Sequence, residues 1–116
     1  MTRKDLGDGP YDHIHKKRIK VGNRTYVIEI CDEIRDGSLD GLCKPTKQII
    51  YISKGMSLDG FREVLIHEIL HAIWYGQSID YALKTDQLEE YLVGVLSANV
   101  MQVFQANKWL REILWD

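Results

Sequence analysis

Residues 61–77 read FREVLIHEILHAIWYGQ, and the hydrophobic period of the chain changes at this stretch. Ahead of it, apolar and polar residues alternate. Within it and beyond, apolar residues return every three or four positions, the spacing of one helix face. Phe61, Val64, Leu65, Ile69, Ala72 and Ile73 supply that face, with Asp59 expected to cap the helix and Gly76 to stop it. Into a segment apolar enough for a buried helix the sequence sets His67, Glu68 and His71. Imidazoles and carboxylates are costly to withdraw from water unpaired, so these three need partners inside the protein or an ion from outside it.

The preceding residues predict strands. Lys17 to Val21 and Arg24 to Cys31 alternate around Gly22-Asn23, a hairpin signature, with Ile19 and Val21 sharing a face with Tyr26, Ile28 and Ile30. After the turn-rich RDGSLDG (35–41), the run GLCKPTKQIIYIS offers a short strand, a turn at Pro45-Thr46 and a stronger strand from Gln48 to Ser53. Downstream of QSIDYALKTD, a second helical pattern runs from about Asp86 to Ala106, its stripe carried by Leu88, Leu92, Val95, Leu96, Val100, Val103 and Phe104. Asn107 is expected to break it, leaving KWLREILWD as a short terminal helix with Trp109, Leu110, Ile113 and Leu114 inward. Strands first and helices afterwards predict an α+β fold: a three- to four-stranded, mostly antiparallel sheet packed against the histidine-bearing helix and a second long helix. Residues 1–12 read as a loosely ordered N-terminus and 13–116 as a single domain, in keeping with a chain of 116 residues.

Residues four apart on a helix stand one above the other, so His67 and His71 can each aim a ring nitrogen at one ion. Zn2+ suits imidazole and carboxylate ligands and leaves a position for water, whose pKa it lowers towards neutrality. Glu68, one position past the first histidine, is placed to take a proton from that water as it attacks a peptide carbonyl. A third ligand is expected from Glu89 or Glu90. A helical wheel puts Glu89 nearer the stripe of Leu92, Val93, Leu96 and Val100, whereas Glu90 shares a side with Gly94 and Ser97, small residues suited to a close helix approach. Whichever glutamate is not a ligand complements the helix dipole.

With QIIYIS, VLIHEILHAIWY and LEEYLVGVLSANVMQVFQAN in view, residues 42–115 resemble the small ImmA/IrrE-type zinc metallopeptidases, particularly the short forms carried by phages and mobile elements. The resemblance implies a minimal zincin-like, gluzincin-like domain in which His67 and His71 bind Zn2+ and Glu68 is the catalytic base. The family's spacing after its third ligand selects Glu90, with Glu89 as the runner-up. The resemblance also implies a sheet edge, expected at Gln48–Ser53, that holds substrate by strand addition. The chain departs from larger members in lacking a proline that closes the third-ligand helix and in carrying Gly94 where a polar residue often stands. The expected activity is hydrolysis of a peptide bond in a protein substrate, such as a regulator, in the cytoplasm of a bacterium or a phage-infected host. The alternative is a metal-stabilised module that grips a host or regulatory protein with little or no hydrolysis.

Bulk properties fit a soluble domain. A net charge of −2, 45% hydrophobic and 28% charged residues give no general attraction to nucleic acid or membrane, and no run resembles a signal peptide or a membrane span. Cys31 and Cys43 are expected as unpaired structural thiols. Tyr75, one turn past His71, and Tyr81 are expected to pack. The basic stretch HIHKKRIK (13–20) reads as a guarded strand edge, with His13 and His15 apart from the zinc set. Trp109 and Trp115 read as core or interface anchors. Composition leaves the oligomeric state open.

Overall fold

The alternation in residues 17–31 produces a hairpin. In the computed structural model, which describes residues 11–77 and 88–115, β1 (Arg18–Val21) and β2 (Arg24–Cys31) pair antiparallel. Gly22 turns the corner at φ +66°, a left-handed conformation that glycine adopts without a Cβ penalty. β3 (Gly41–Lys44) and β4 (Ile49–Ser53) form a second antiparallel pair. β4 then lies parallel to β2, with Ile28 opposite Ile50 and Ile30 opposite Ile52, giving the order β1-β2-β4-β3. The register joins two alternating patterns into one continuous apolar face, on which Ile19, Tyr26, Ile28, Ile50 and Ile52 have no exposed surface.

This order corrects the position of the free edge. Gln48 to Ser53 was the expected edge, but β4 is hydrogen-bonded on both sides and β3 is outermost. The parallel pairing is the cause: β2 and β4 bury the larger apolar side chains together, and the short β3, half-buried throughout, is left outside.

α1 (Leu58–Gln77) covers the apolar face of the sheet with Phe61, Leu65, Ile69, Ala72 and Ile73. Fully burying one such side chain stabilises by about 1.5–3 kcal/mol, so this stripe sets the helix's rotation. Its cap is Ser57 rather than Asp59: Ser57 Oγ accepts the Gly60 N–H at 3.0 Å, while Asp59, inside the first turn, pairs with Arg62 at 3.2 Å. Gly76 is the penultimate residue of the described helix. Tyr11 ties down the start of the described chain. Its ring stacks on Phe61 at 4.1 Å and its hydroxyl accepts the Met56 N–H at 2.9 Å.

α2 (Leu88–Ala106) and α3 (Lys108–Trp115) complete the layer, so the architecture is α+β with a four-stranded mixed sheet and three helices among the described residues. Residues 86 and 87, the expected start of α2, lie outside the described ones. Val103, Leu110 and Ile113 are buried, and Leu96, Val100, Phe104, Trp109 and Leu114 pack around them. Asn107 breaks the helix as expected and does more. Its Oδ1 accepts the Lys20 N–H, and its Nδ2 donates to the Lys20 carbonyl, both at 2.9 Å, so the side-chain amide mimics a neighbouring strand and closes part of the β1 edge. No described helix is long and apolar enough to cross a membrane.

Candidate functional site

The rotation that buries Leu65 and Ile69 turns His67 and His71 away from the sheet. Both are exposed, while Glu68, one residue round the helix, is 5% exposed. Of the three polar interruptions, only the carboxylate is withdrawn from water. Ile66 and Leu70 are 42% and 36% exposed and form an apolar surface beside the histidines.

The two imidazoles converge. Their Nε2 atoms are 3.2 Å apart and their rings meet edge to face with centroids separated by 4.8 Å. Two nitrogens bound tetrahedrally to one zinc at 2.0–2.1 Å stand about 3.3 Å from each other. The spacing fits a shared ion; without one, the same approach is a hydrogen bond from one ring N–H to the other nitrogen. Among the described residues, no group of three His, Cys, Asp or Glu side chains could hold a metal. The expected third ligand falls on Glu89 or Glu90 in the first turn of α2, and their side chains lie outside those described. Tyr81 lies outside as well.

Glu68 is held between α1 and β3. A Cβ built on Gly41 would come within 2.6 Å of Val64 Cγ1 and 2.8 Å of Glu68 Oε2, so only glycine allows this strand to approach so closely. Burial raises the Glu68 pKa above its ordinary value, opposed by the charges of His67 and His71 and by the Cys43 backbone amide. A carboxylate made a better proton acceptor by burial, beside two metal-type nitrogens, is suited to general-base work.

The histidines stand between two hollows. One, of about 350 Å³, is lined by His67, Leu70, His71, Trp74 and Leu96. The other, of about 510 Å³, runs between α1 and β3, and its lining includes Gly41, Leu42, Cys43, Glu68, Tyr75 and Arg35. Tyr75 is 45% exposed, with the Arg24 guanidinium 5.1 Å from its ring centre, so it is a cleft wall rather than a core side chain. Sequence reasoning missed Gly41, Arg35 and this use of Tyr75, because each reaches the site through tertiary packing.

At the mouth the chain makes a left-handed turn, with Arg35 at φ 50°, Asp36 at 56° and Gly37 at 84°. Left-handed geometry costs a non-glycine residue about 1–2 kcal/mol. A bridge between Ile34 and Leu39 closes the turn, and the Ser38 N–H and hydroxyl both donate to the Arg35 carbonyl, at 3.1 and 2.8 Å.

Other polar residues singled out in the sequence serve the fold. His15 Nδ1 accepts the Ile30 N–H at 2.9 Å, Lys16 pairs with Glu29, and Lys17 lies 5.8 Å from the Trp109 ring centre. His13 is exposed on the short 3₁₀ turn Asp12–Ile14. Trp115 is 65% exposed and meets Phe104 edge to face.

Both cysteines are free. Burial, then the charge of Glu68, pushes the Cys43 thiol up to about 12, and burial raises that of Cys31. Thiolate is the reactive form, so folded protein at pH 8 is expected to react with an aromatic disulfide reagent at least about tenfold more slowly than protein unfolded in guanidinium. Equal rates would contradict the burial seen for these thiols. Tyr26 presents a different cost. Its hydroxyl is buried with no hydrogen-bond partner among the described residues, and burial raises its pKa to about 12. Tyr26→Phe removes an unsatisfied donor, so it is expected to hold or raise stability by up to about 1 kcal/mol in thermal unfolding; a loss of that size would reveal a partner.

No family model matches the chain, nor does any curated protein or solved structure.

Proposed function

We propose that the chain is a zinc-dependent endopeptidase of zincin-like design that cleaves a protein substrate, such as a regulator. The observation carrying this reading is the pair of Nε2 atoms 3.2 Å apart on one helix face, with the buried carboxylate of Glu68 beside them. His67 and His71 hold the metal. Zinc supplies Lewis acidity, which draws the pKa of a water towards neutrality and polarises a carbonyl.

Glu68 takes the proton from the attacking water and passes it to the departing amine. Held against Gly41 and the Cys43 amide, the carboxylate keeps its position while its charge changes. The outer edge of β3 accepts an extended peptide by strand addition, bringing the backbone of the substrate into the hollow that Glu68 faces.

Two glutamates compete for the third ligand position. The resemblance selects Glu90. On α2, Leu92, Leu96 and Val100 are partly buried, and Leu96 lines a hollow beside His71. Gly94, Ser97 and Met101 are exposed, and a Cβ at Gly94 would meet nothing within 4 Å, so the close helix approach expected at that residue is absent among the described residues.

Zinc analysis together with digestion of a mixed peptide pool tests the assignment. Wild type is expected to bind one zinc per chain and to cleave in a manner lost to chelator and restored by zinc. His67→Ala and His71→Ala are expected to lose zinc, as is only one of Glu89→Ala and Glu90→Ala. Full zinc occupancy in His67→Ala would refute the centre. The exposed Ile66 and Leu70 favour a second reading, a metal-stabilised module that binds a partner protein without cutting it.

A further inference from the structure

We infer that Arg35 selects substrates by receiving a carboxylate at the mouth of the cleft between β3 and α1, so that the preferred substrate presents an acidic group close to the bond cleaved. The inference rests on the peptidase reading for the cut and on Arg35 itself for the selectivity.

Four non-glycine residues among those described have left-handed backbones, Lys16, Arg35, Asp36 and Gln48, and Arg35 is the one that lines the cleft. Asp tolerates this conformation through its short polar side chain, whereas a long arginine side chain gains nothing locally from it. The turn is nevertheless closed firmly, by the Ile34–Leu39 bridge and by two hydrogen bonds from Ser38 to the Arg35 carbonyl. Strain maintained by surrounding bonds at a cleft residue marks a side chain whose direction matters.

Charge supports the same conclusion. Arg35 stands in the stretch CDEIRDGSLD (31–40), where Asp32, Glu33, Asp36 and Asp40 offer carboxylates nearby in sequence. Its guanidinium pairs with none of them, and Asp32 is engaged by Lys54 at 2.9 Å. None of those four acids lines the cleft. The mouth thus offers a planar, five-donor cation with no ion-pair partner among the described residues, built to take a carboxylate with two parallel hydrogen bonds.

A carboxylate can come from an Asp or Glu side chain or from the end of a peptide chain, and both sources can be compared directly. One measurement is digestion of a peptide pool with free and amidated C-termini by zinc-loaded protein, with cleavage sites read by mass spectrometry. The other is retention of zinc-loaded Glu68→Gln on an array of matched peptides bearing Asp or Glu, Asn or Gln, and free or amidated ends. Each is run with Arg35, Arg35→Gly and Arg35→Glu. Glycine suits the left-handed backbone, so Arg35→Gly is expected to melt no lower than the parent protein while losing the preference. Arg35→Glu reverses the charge and is expected to move the preference from acidic to basic peptides.

Wild type is expected to favour carboxylate peptides over their amides by at least about tenfold. Selection by side chain with indifference to the terminus identifies an internal acidic residue, and the converse identifies a chain end. If no peptide is cut but the array shows the Arg35-dependent preference, the peptidase reading fails and this inference stands. Equal treatment of acid and amide in both measurements, including no retention at all, or a preference that survives in Arg35→Gly, overturns it.

Discussion

Glu68→Gln is expected to retain wild-type zinc content and to lose peptide hydrolysis by about 10²–10⁴-fold, the usual contribution of a positioned proton-transfer group. The substitution keeps the size of the side chain, and the amide oxygen can still face the Cys43 backbone amide that Glu68 meets in the wild type. It removes the one property hydrolysis needs, a group that accepts a proton and returns it. The ring nitrogens of His67 and His71, proposed as the metal ligands, are untouched. Retained zinc with lost cleavage therefore supports catalysis, whereas biological activity that survives Glu68→Gln sinks the peptidase reading in favour of a binding module. The substitution also has a signature in stability. Burial raises the folded-state pKa of Glu68, so its contribution is fully present below the ordinary glutamate range and is lost as pH rises through the raised value. In metal-free protein, Glu68→Gln is expected to flatten that part of the pH–stability curve, and to be no less stable than wild type at neutral pH. A steeper loss of stability in the variant at neutral pH would show that the charged form is the one the fold favours.

Gly41→Ala is expected to be the most damaging single-methyl change in the described structure. Its Cβ would meet Val64 Cγ1 at 2.6 Å, on a stiff β-branched side chain, and Glu68 Oε2 at 2.8 Å, with Glu68 Cγ at 3.1 Å behind it. Relief requires β3 to move from α1 or Val64 and Glu68 to leave their positions. Overpacking of this kind costs about 1–3 kcal/mol, a fall in melting temperature on the order of 4–12 °C for a chain of this size. On the peptidase reading, hydrolysis should fall further than stability explains, because the methyl group displaces the carboxylate proposed as the base. Zinc content should change less than activity, since the atoms nearest the added Cβ belong to Val64 and Glu68 and not to His67 or His71. Wild-type melting and wild-type cleavage in Gly41→Ala would mean that the strand and helix are not held at this contact.

Local periodicity made much of the fold legible. The two-residue alternation in β1 and β2 yields the observed buried set, Ile19 and Val21 against Tyr26, Ile28 and Ile30, because successive strand side chains must point to opposite faces. The apolar spacing from Phe61 to Ile73 yields the buried side of α1 for the corresponding helical reason. The parallel pairing of β2 with β4 was not legible: no local pattern distinguishes a central strand from an edge strand that shares its alternation. Ser57 and Asp59 are both good capping residues, and only the geometry of the first turn chose between them.

In the candidate site, sequence by itself determined the convergence of His67 and His71, since four residues of α-helix bring two side chains to one face whatever surrounds them. It determined equally that Glu68 points elsewhere, one residue further round. Tertiary structure decided which of the three would be buried, because the apolar stripe of α1 rotates Glu68 onto β3 and leaves the histidines at the surface. It also made β3 the free edge, turned Gly41 into the contact that seats the carboxylate, and brought Arg35 to the cleft mouth. The physical division is one of range. Backbone geometry sets the relations between residues a few positions apart, whereas contacts between distant segments follow from the way the whole chain buries its apolar surface.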